Sequence, residues 1–189
     1  MNAPYNGRFK VTQEYKPGIH DGLDIVGLDS KEIHATATGV VEYADWENSG
    51  DKKQGFGQYV KIIDNNTGYG FYYGHMSEIK VKVGQAVKIG DVIGIEGSTG
   101  YSTGSHCHYC IRKNGKGTDI DISSFSGIPN QTGGIFDDGY RPDSESDTIE
   151  ITVKINNKTY TGKIRAWKKA LYFSLFFSLY ILIFSFRLT

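Results

Sequence analysis

Two short stretches of the 189-residue sequence carry side chains with the chemistry of a metal centre. "HDGLD" sets His20 ahead of Asp24, and "SHCHYC" sets His106 and His108 on either side of Cys107, with Cys110 close behind. Zinc accepts imidazole nitrogen and carboxylate oxygen, and a catalytic zinc keeps three protein ligands and an open position for water. His20, Asp24 and one histidine of the H-x-H pair would supply such a set. "YYGHMS" adds His75 at the end of a tyrosine-rich run. The cysteines invite a redox or thiolate reading of the same stretch instead.

Strand parity separates these readings. "HCHYCI" is rich in β-favouring residues and lies between "STGS" and "NGKG", which predicts a strand between turns. Side chains alternate faces along a strand, so His106 and His108 share one side. Cys110 falls on that side and Cys107 on the other, so the thiols do not grip one ion or form one disulfide. A redox C-x-x-C needs a helix N-terminus to acidify its thiol, and none is predicted here. Buried or half-buried free thiols are expected. His34, in "EIHATATG", is expected at the surface. Tyr72 and Tyr73 are candidates for a groove wall, against ordinary cross-strand packing.

The elements that must position these residues read as strands. Glycine and tyrosine are abundant, at 24 and 13 residues, as in a turn-rich β protein. "GRFKVTQEY", "LDIVG", "HATATGVVEYADW", "GQYVKIID", "GYGFYYGHM", "QAVKIGDVIGIEG" and "HCHYCIRKNG" each carry Val, Ile, Tyr or Phe between Gly, Asn or Asp. One short helical turn is expected near "MSEI". The basic and acidic residues balance at 21 each, so nothing in the charge points to nucleic acid as a partner. The class is mainly β: an antiparallel sheet or sandwich with an open groove over residues 1–127. A flexible linker is expected over 128–148 and a β-hairpin over 149–165. The apolar stretch within 166–189 is expected to be helical. Its uncharged core, 170–186, is near the lower limit of about 17 residues for a membrane-spanning helix and is a candidate anchor. The N-terminus lacks the apolar core of a secretory signal.

Taken in order, H-x-G-x-D, Y-G-H, the glycine-punctuated "VKVGQAVKIGDVIGIEGSTGYSTGSH" and H-x-H form one pattern. From about Phe9 to about Gly127 the chain resembles the lysostaphin-type zinc endopeptidases of peptidoglycan, and in its short N-terminus the phage and prophage lysins of that group. The resemblance implies that His20, Asp24 and His108 hold Zn2+ and that His75 and His106 form the catalytic pair. It further implies a monomer that hydrolyses peptide bonds in the bacterial cell wall, delivered by phage or released at lysis. Cys107 departs from the apolar residue common at that place. A catalytically inactive peptidoglycan- or partner-binding domain of the same fold is the main alternative. A hammerhead carrier is the other, but the corner "VKIGDVIG" carries Asp91 where a carrier presents a lysine.

Overall fold

The computed structural model describes residues 2–113, 117–138, 148–155 and 158–165. The chain forms two compact units, Met1–Tyr140 and Arg141–Thr189. The first unit contains β1 (Arg8–Gln13), β2 (Leu23–Gly27), β3 (Glu32–His34), β4 (Gly39–Trp46), β5 (Gln58–Asp64), β6 (Gly70–Met76), β7 (Glu78–Ile79), β8 (Ala86–Val87), β9 (Val92–Ile95), β10 (Cys107–Arg112), β11 (Asp119–Ile120), α1 (Ser123–Ser126) and β12 (Ile135–Asp137). Nine of these strands form one sheet in the order β12-β1-β2-β10-β6-β5-β4-β8, with β11 on β10. A second sheet, β3-β9-β7, has three strands. Every pairing is antiparallel, as the alternating pattern predicts.

The middle of the large sheet matters most. β10 lies between β2 and β6, and every residue of β6 is buried. That burial is affordable because the polar groups are partnered. Thr36 bonds the hydroxyls of Tyr73, at 2.6 Å, and Tyr109, at 2.8 Å, while the two tyrosine rings stack at 5.4 Å. Leu23, Ile25, Val60, Ile62 and Ile111 fill the apolar space around them. Truncating one such residue to Ala costs about 2–5 kcal/mol. Tyr73 is therefore a core residue, not part of a groove wall. Tyr72, also buried, stacks with Tyr59 and lies tilted against Phe56.

Three expectations change. "MSEI" is not helical: Met76 closes β6, and Glu78–Ile79 pairs with β9, whose backbone satisfies it as a strand. The described helix is instead Ser123–Ser126, ended by Gly127 in the left-handed region. His34 is buried, with Nδ1 donating to the carbonyl of Gly90 at 2.9 Å. The stretch expected to begin a linker at 128 is instead bound to the first unit as far as Asp138, with Ile135–Asp137 in the sheet. Ile128 lies in the core, β12 pairs with β1, and the Phe136 ring lies 5.9 Å from Phe9. Its two glycines and Asn130 hide this in sequence, the Asn130 side chain bonding the backbone of Tyr15.

In the second unit β13 (Thr148–Ile155) and β14 (Lys158–Arg165) form the expected antiparallel hairpin. Residues 139–147 and the apolar stretch 166–189 lie outside the described residues, and with them the anchor reading. Among the described residues no helix is long and apolar enough to cross a membrane.

Candidate active site

The register of β10 assembles the site. His108 stands opposite Asp24 on β2 and opposite Gly74 on β6. Side chains directly across an antiparallel pair have Cβ atoms about 5 Å apart, so Asp24 and His108 meet without any loop rearrangement. His20 enters from the turn before β2, and His75 follows Gly74. Four of the five histidines therefore gather around one carboxylate, and His34 does not.

His75 reaches the site through an irregularity. Between the pairs Gln58↔Met76 and Val60↔Tyr73, β5 contributes one residue and β6 two. His75 occupies this β-bulge with φ 62°, the only non-glycine described in the left-handed region. Such backbone costs about 1–2 kcal/mol in a residue bearing a Cβ. The strain is held by the His75 backbone N–H donating to Phe56 at 2.7 Å and by Nδ1–H donating to the Thr99 carbonyl at 2.7 Å. The Thr99 carbonyl can come so close because Gly57 and Gly100 meet backbone to backbone there. A Cβ on Gly100 would lie 2.2 Å from the Gly57 nitrogen.

Each histidine is held at one nitrogen and offers the other. His20 Nδ1–H donates to the Glu14 carbonyl at 2.8 Å, and His106 Nδ1–H to the Gly104 carbonyl at 2.8 Å. His108 Nε2–H donates to Asp21 Oδ1 at 3.0 Å. The remaining nitrogens of His20 and His108 lie 3.2 Å apart, at 3.2 and 2.8 Å from Asp24 Oδ1. Donors at zinc distances of about 2.0–2.2 Å and tetrahedral angles sit roughly 3.3–3.5 Å from one another. Two imidazole nitrogens and a carboxylate oxygen packed this closely form a donor set that fits zinc. His106 Nε2 is 3.5 Å from the same Asp24 oxygen, and its ring lies 4.6 Å from that of His75.

The electrostatics divide the group. Burial alone would raise the carboxyl of Asp24, but bonds from His108 and His20 outweigh it and hold the group well below the usual carboxylate range. Burial would lower His108, but Asp21 and Asp24 outweigh it and raise the imidazole well above its ordinary value. His75 has no carboxylate bonded to it, and burial first and His106 second push it down to about 4.

Three partners went unnoticed in the sequence. Asp21 accepts from His108 and, on its other oxygen, from Arg112. Glu96, whose side chain is fully buried, accepts from Tyr5 at 2.6 Å, the Gly27 N–H at 2.9 Å, Lys31 at 2.7 Å and Ser105 at 2.6 Å. It thereby ties the segment carrying His106 to β2 and to the N-terminus. Cys107 and Cys110 are buried free thiols, in line with strand parity, and burial pushes both upward. Beside Asp24 and His106 lies an open depression of about 260 Å3, lined also by Thr12, Gln13, Thr103 and Ser105.

An antiparallel sheet that converges two imidazoles and a carboxylate beside a further imidazole pair has the layout of a hydrolase with a single metal centre. The sequence model of Peptidase family M23 matches residues 18–120, over half of the chain, and the protein belongs to that family. The glycyl-glycine endopeptidase of Staphylococcus capitis is 36% identical over 92 residues, covering 49% of this chain and 24% of that protein. The chain thus spans about a quarter of the length of that curated relative. The catalytic domain of the antimicrobial peptidase lysostaphin from Staphylococcus simulans superposes with a TM-score of 0.53 at 31% identity, over 64% of this chain and 92% of that one. A zinc-containing peptidase from Vibrio cholerae gives 0.52 at 26% identity, over 64% and 38% of the two chains.

Proposed function

We propose that this chain is a zinc-dependent endopeptidase that hydrolyses peptide bonds in bacterial peptidoglycan. The observation that carries the reading is the convergence of His20, Asp24 and His108 on one point next to His75 and His106. Peptidase-family membership, a glycyl-glycine endopeptidase relative and the likeness to an antimicrobial peptidase support the peptide substrate and the cell wall as the place of action.

His20 Nε2, Asp24 Oδ1 and His108 Nδ1 would hold the ion. When bound, zinc supplies a Lewis acid and lowers the pKa of water. The chain's own residues do the rest. Asp24 brings a negative charge to the site and is fixed in ionised form by its two imidazole neighbours. His75 is neutral at pH 7 and keeps one nitrogen lone pair unengaged, because Nδ1–H is committed to Thr99. His106 is held the same way by Gly104. Between them these imidazoles accept the proton of the attacking water and return one to the leaving amine. The depression lined by Thr12, Gln13, Thr103 and Ser105 presents hydroxyls and an amide without added charge, which suits a peptide backbone.

The test is direct. Purified full-length protein is assayed for zinc by mass spectrometry and for turbidity loss on isolated cell walls, with the released fragments sequenced by mass. One zinc per chain and new peptide termini in the fragments are expected, both lost with a chelator and restored by zinc. Walls left uncut by the zinc-loaded protein would sink the peptidase reading in favour of an inactive binding domain.

A further inference from the structure

The zinc site as read from sequence leaves Asp21 without a task. It sits between His20 and Asp24 in chain order, yet it meets His108 on the opposite side of the ring. Asp24 Oδ1 lies 2.8 Å from His108 Nδ1, and Asp21 Oδ1 lies 3.0 Å from Nε2. One pentapeptide, His20–Asp24, therefore places a carboxylate on each nitrogen of the same imidazole. Gly22 makes this reach attainable: a Cβ there would lie 2.6 Å from the Tyr109 carbonyl oxygen and 3.0 Å from His108 Cε1.

Asp21 is itself clamped. Its second oxygen accepts from Arg112, whose guanidinium lies over the rings of Phe56, at 5.1 Å, and Tyr72, at 4.8 Å. Arg112 Nε is buried without a hydrogen-bond partner. An arginine kept in that position despite an unsatisfied donor has its charge directed at one acceptor, and that acceptor is Asp21.

We propose that Asp21, braced by Arg112, is a positioning residue that fixes the His108 ring and strengthens its inward nitrogen as a metal ligand. This rests on the reading of His108 as a zinc ligand. A carboxylate accepting from the outer nitrogen of a ligating histidine sets its tautomer and orientation and raises its donor strength. The rival is a second ion held by Asp21, His108 and Cys110, which also lie close together. Arg112 weighs against it, because its fixed positive charge already occupies the Asp21 carboxylate.

Zinc affinity of the full chain is measured by competition with a chromogenic chelator, for wild type, Asp21→Asn, Asp21→Ala and Asp24→Ala. Asp21→Ala is expected to weaken zinc about 10–100-fold, the usual scale for such partners, and Asp21→Asn less, with one zinc per chain still reached at saturation. NMR of zinc-loaded wild type should show a slowly exchanging His108 Nε2–H that the Ala variant loses. If Asp21→Ala does not fold, the isosteric Asn variant carries the test through its affinity. Wild-type affinity in the foldable Asp21 variants, with zinc lost from Asp24→Ala, would overturn this proposal alone. Zinc retained by Asp24→Ala would overturn the underlying ligand set. Two zinc ions in wild type, one of them lost in Cys110→Ala, would replace the orienting acid with the second site.

Discussion

His108 and His75 lie on neighbouring strands with ring centroids 5.9 Å apart, yet their surroundings are opposite. His108 has carboxylates on both nitrogens. His75 has a carbonyl on one nitrogen, an imidazole neighbour and no bonded carboxylate, and stays neutral. The backbone differs too. His108 stands in regular register, whereas His75 needs a bulge and a left-handed φ. On the function proposed above, one half of the site would hold a cation and the other would handle a proton. Residue type alone says nothing about which half a histidine belongs to, and neither does the outer partner, since His20 has a backbone carbonyl there as His75 and His106 do; closeness of the inner nitrogen to Asp24 Oδ1 separates them.

The contrast predicts a ranked set of effects. Asp24→Ala acts on the cation half and is expected to remove both zinc and activity, with wall lysis below detection at zinc concentrations that saturate wild type. Retained stoichiometric zinc would dissolve the division at its base. His75→Ala and His106→Ala act on the proton half. Each should keep one zinc per chain yet lose at least about a hundredfold in rate, the usual scale for a general acid or base. Near-wild-type lysis by either would remove that residue from the pair.

Glu96 sharpens the comparison from outside it, since this carboxylate bonds Ser105 next to His106 rather than a histidine. Burial would raise its pKa, but Lys31 first, then Ser105, Tyr5 and Gly27, hold it below its ordinary value. A depressed folded-state pKa contributes stability above the unfolded value, near 4.5, and that contribution is lost as pH falls through the folded value. Glu96→Gln should therefore cost about 2 kcal/mol at pH 7, measured by urea unfolding of metal-free protein, with the gap narrowing below about pH 4.5. A gap independent of pH would deny Glu96 its charge. The smallest effect concerns the strained backbone. His75→Gly should be more stable than His75→Ala by about 1 kcal/mol, because glycine bears the left-handed φ without a Cβ. Equal stabilities would mean that the bulge relaxes once the histidine is gone.

Much of this arrangement is legible in the sequence because it follows from parity and order. Alternation puts His106, His108 and Cys110 on one side of β10 and Cys107 on the other, and the same count would have added Arg112. H-x-x-x-D brings His20 and Asp24 together with no help from tertiary contacts. Asp21 escapes because an acid before glycine reads as a solvated turn residue. Glu96 escapes because four partners from distant segments hold it, and no local pattern encodes them. The bulge at His75 is invisible for a related reason: an extra residue in one strand shows only against its neighbour. β12 is hidden by polar composition, as its place depends on β1 rather than on its own alternation.

That last strand also decides where the domain can be cut. Ending the chain after Gly127 would strip β1 of its outer partner and lay bare a row of unpaired N–H and C=O groups beside an uncovered Phe9. Open borders of this kind recruit strands from other molecules. A truncation at that point would risk precipitation without touching a single histidine, and its lost activity would be misread as a catalytic defect. The dispensable portion begins no earlier than the residues following Asp138.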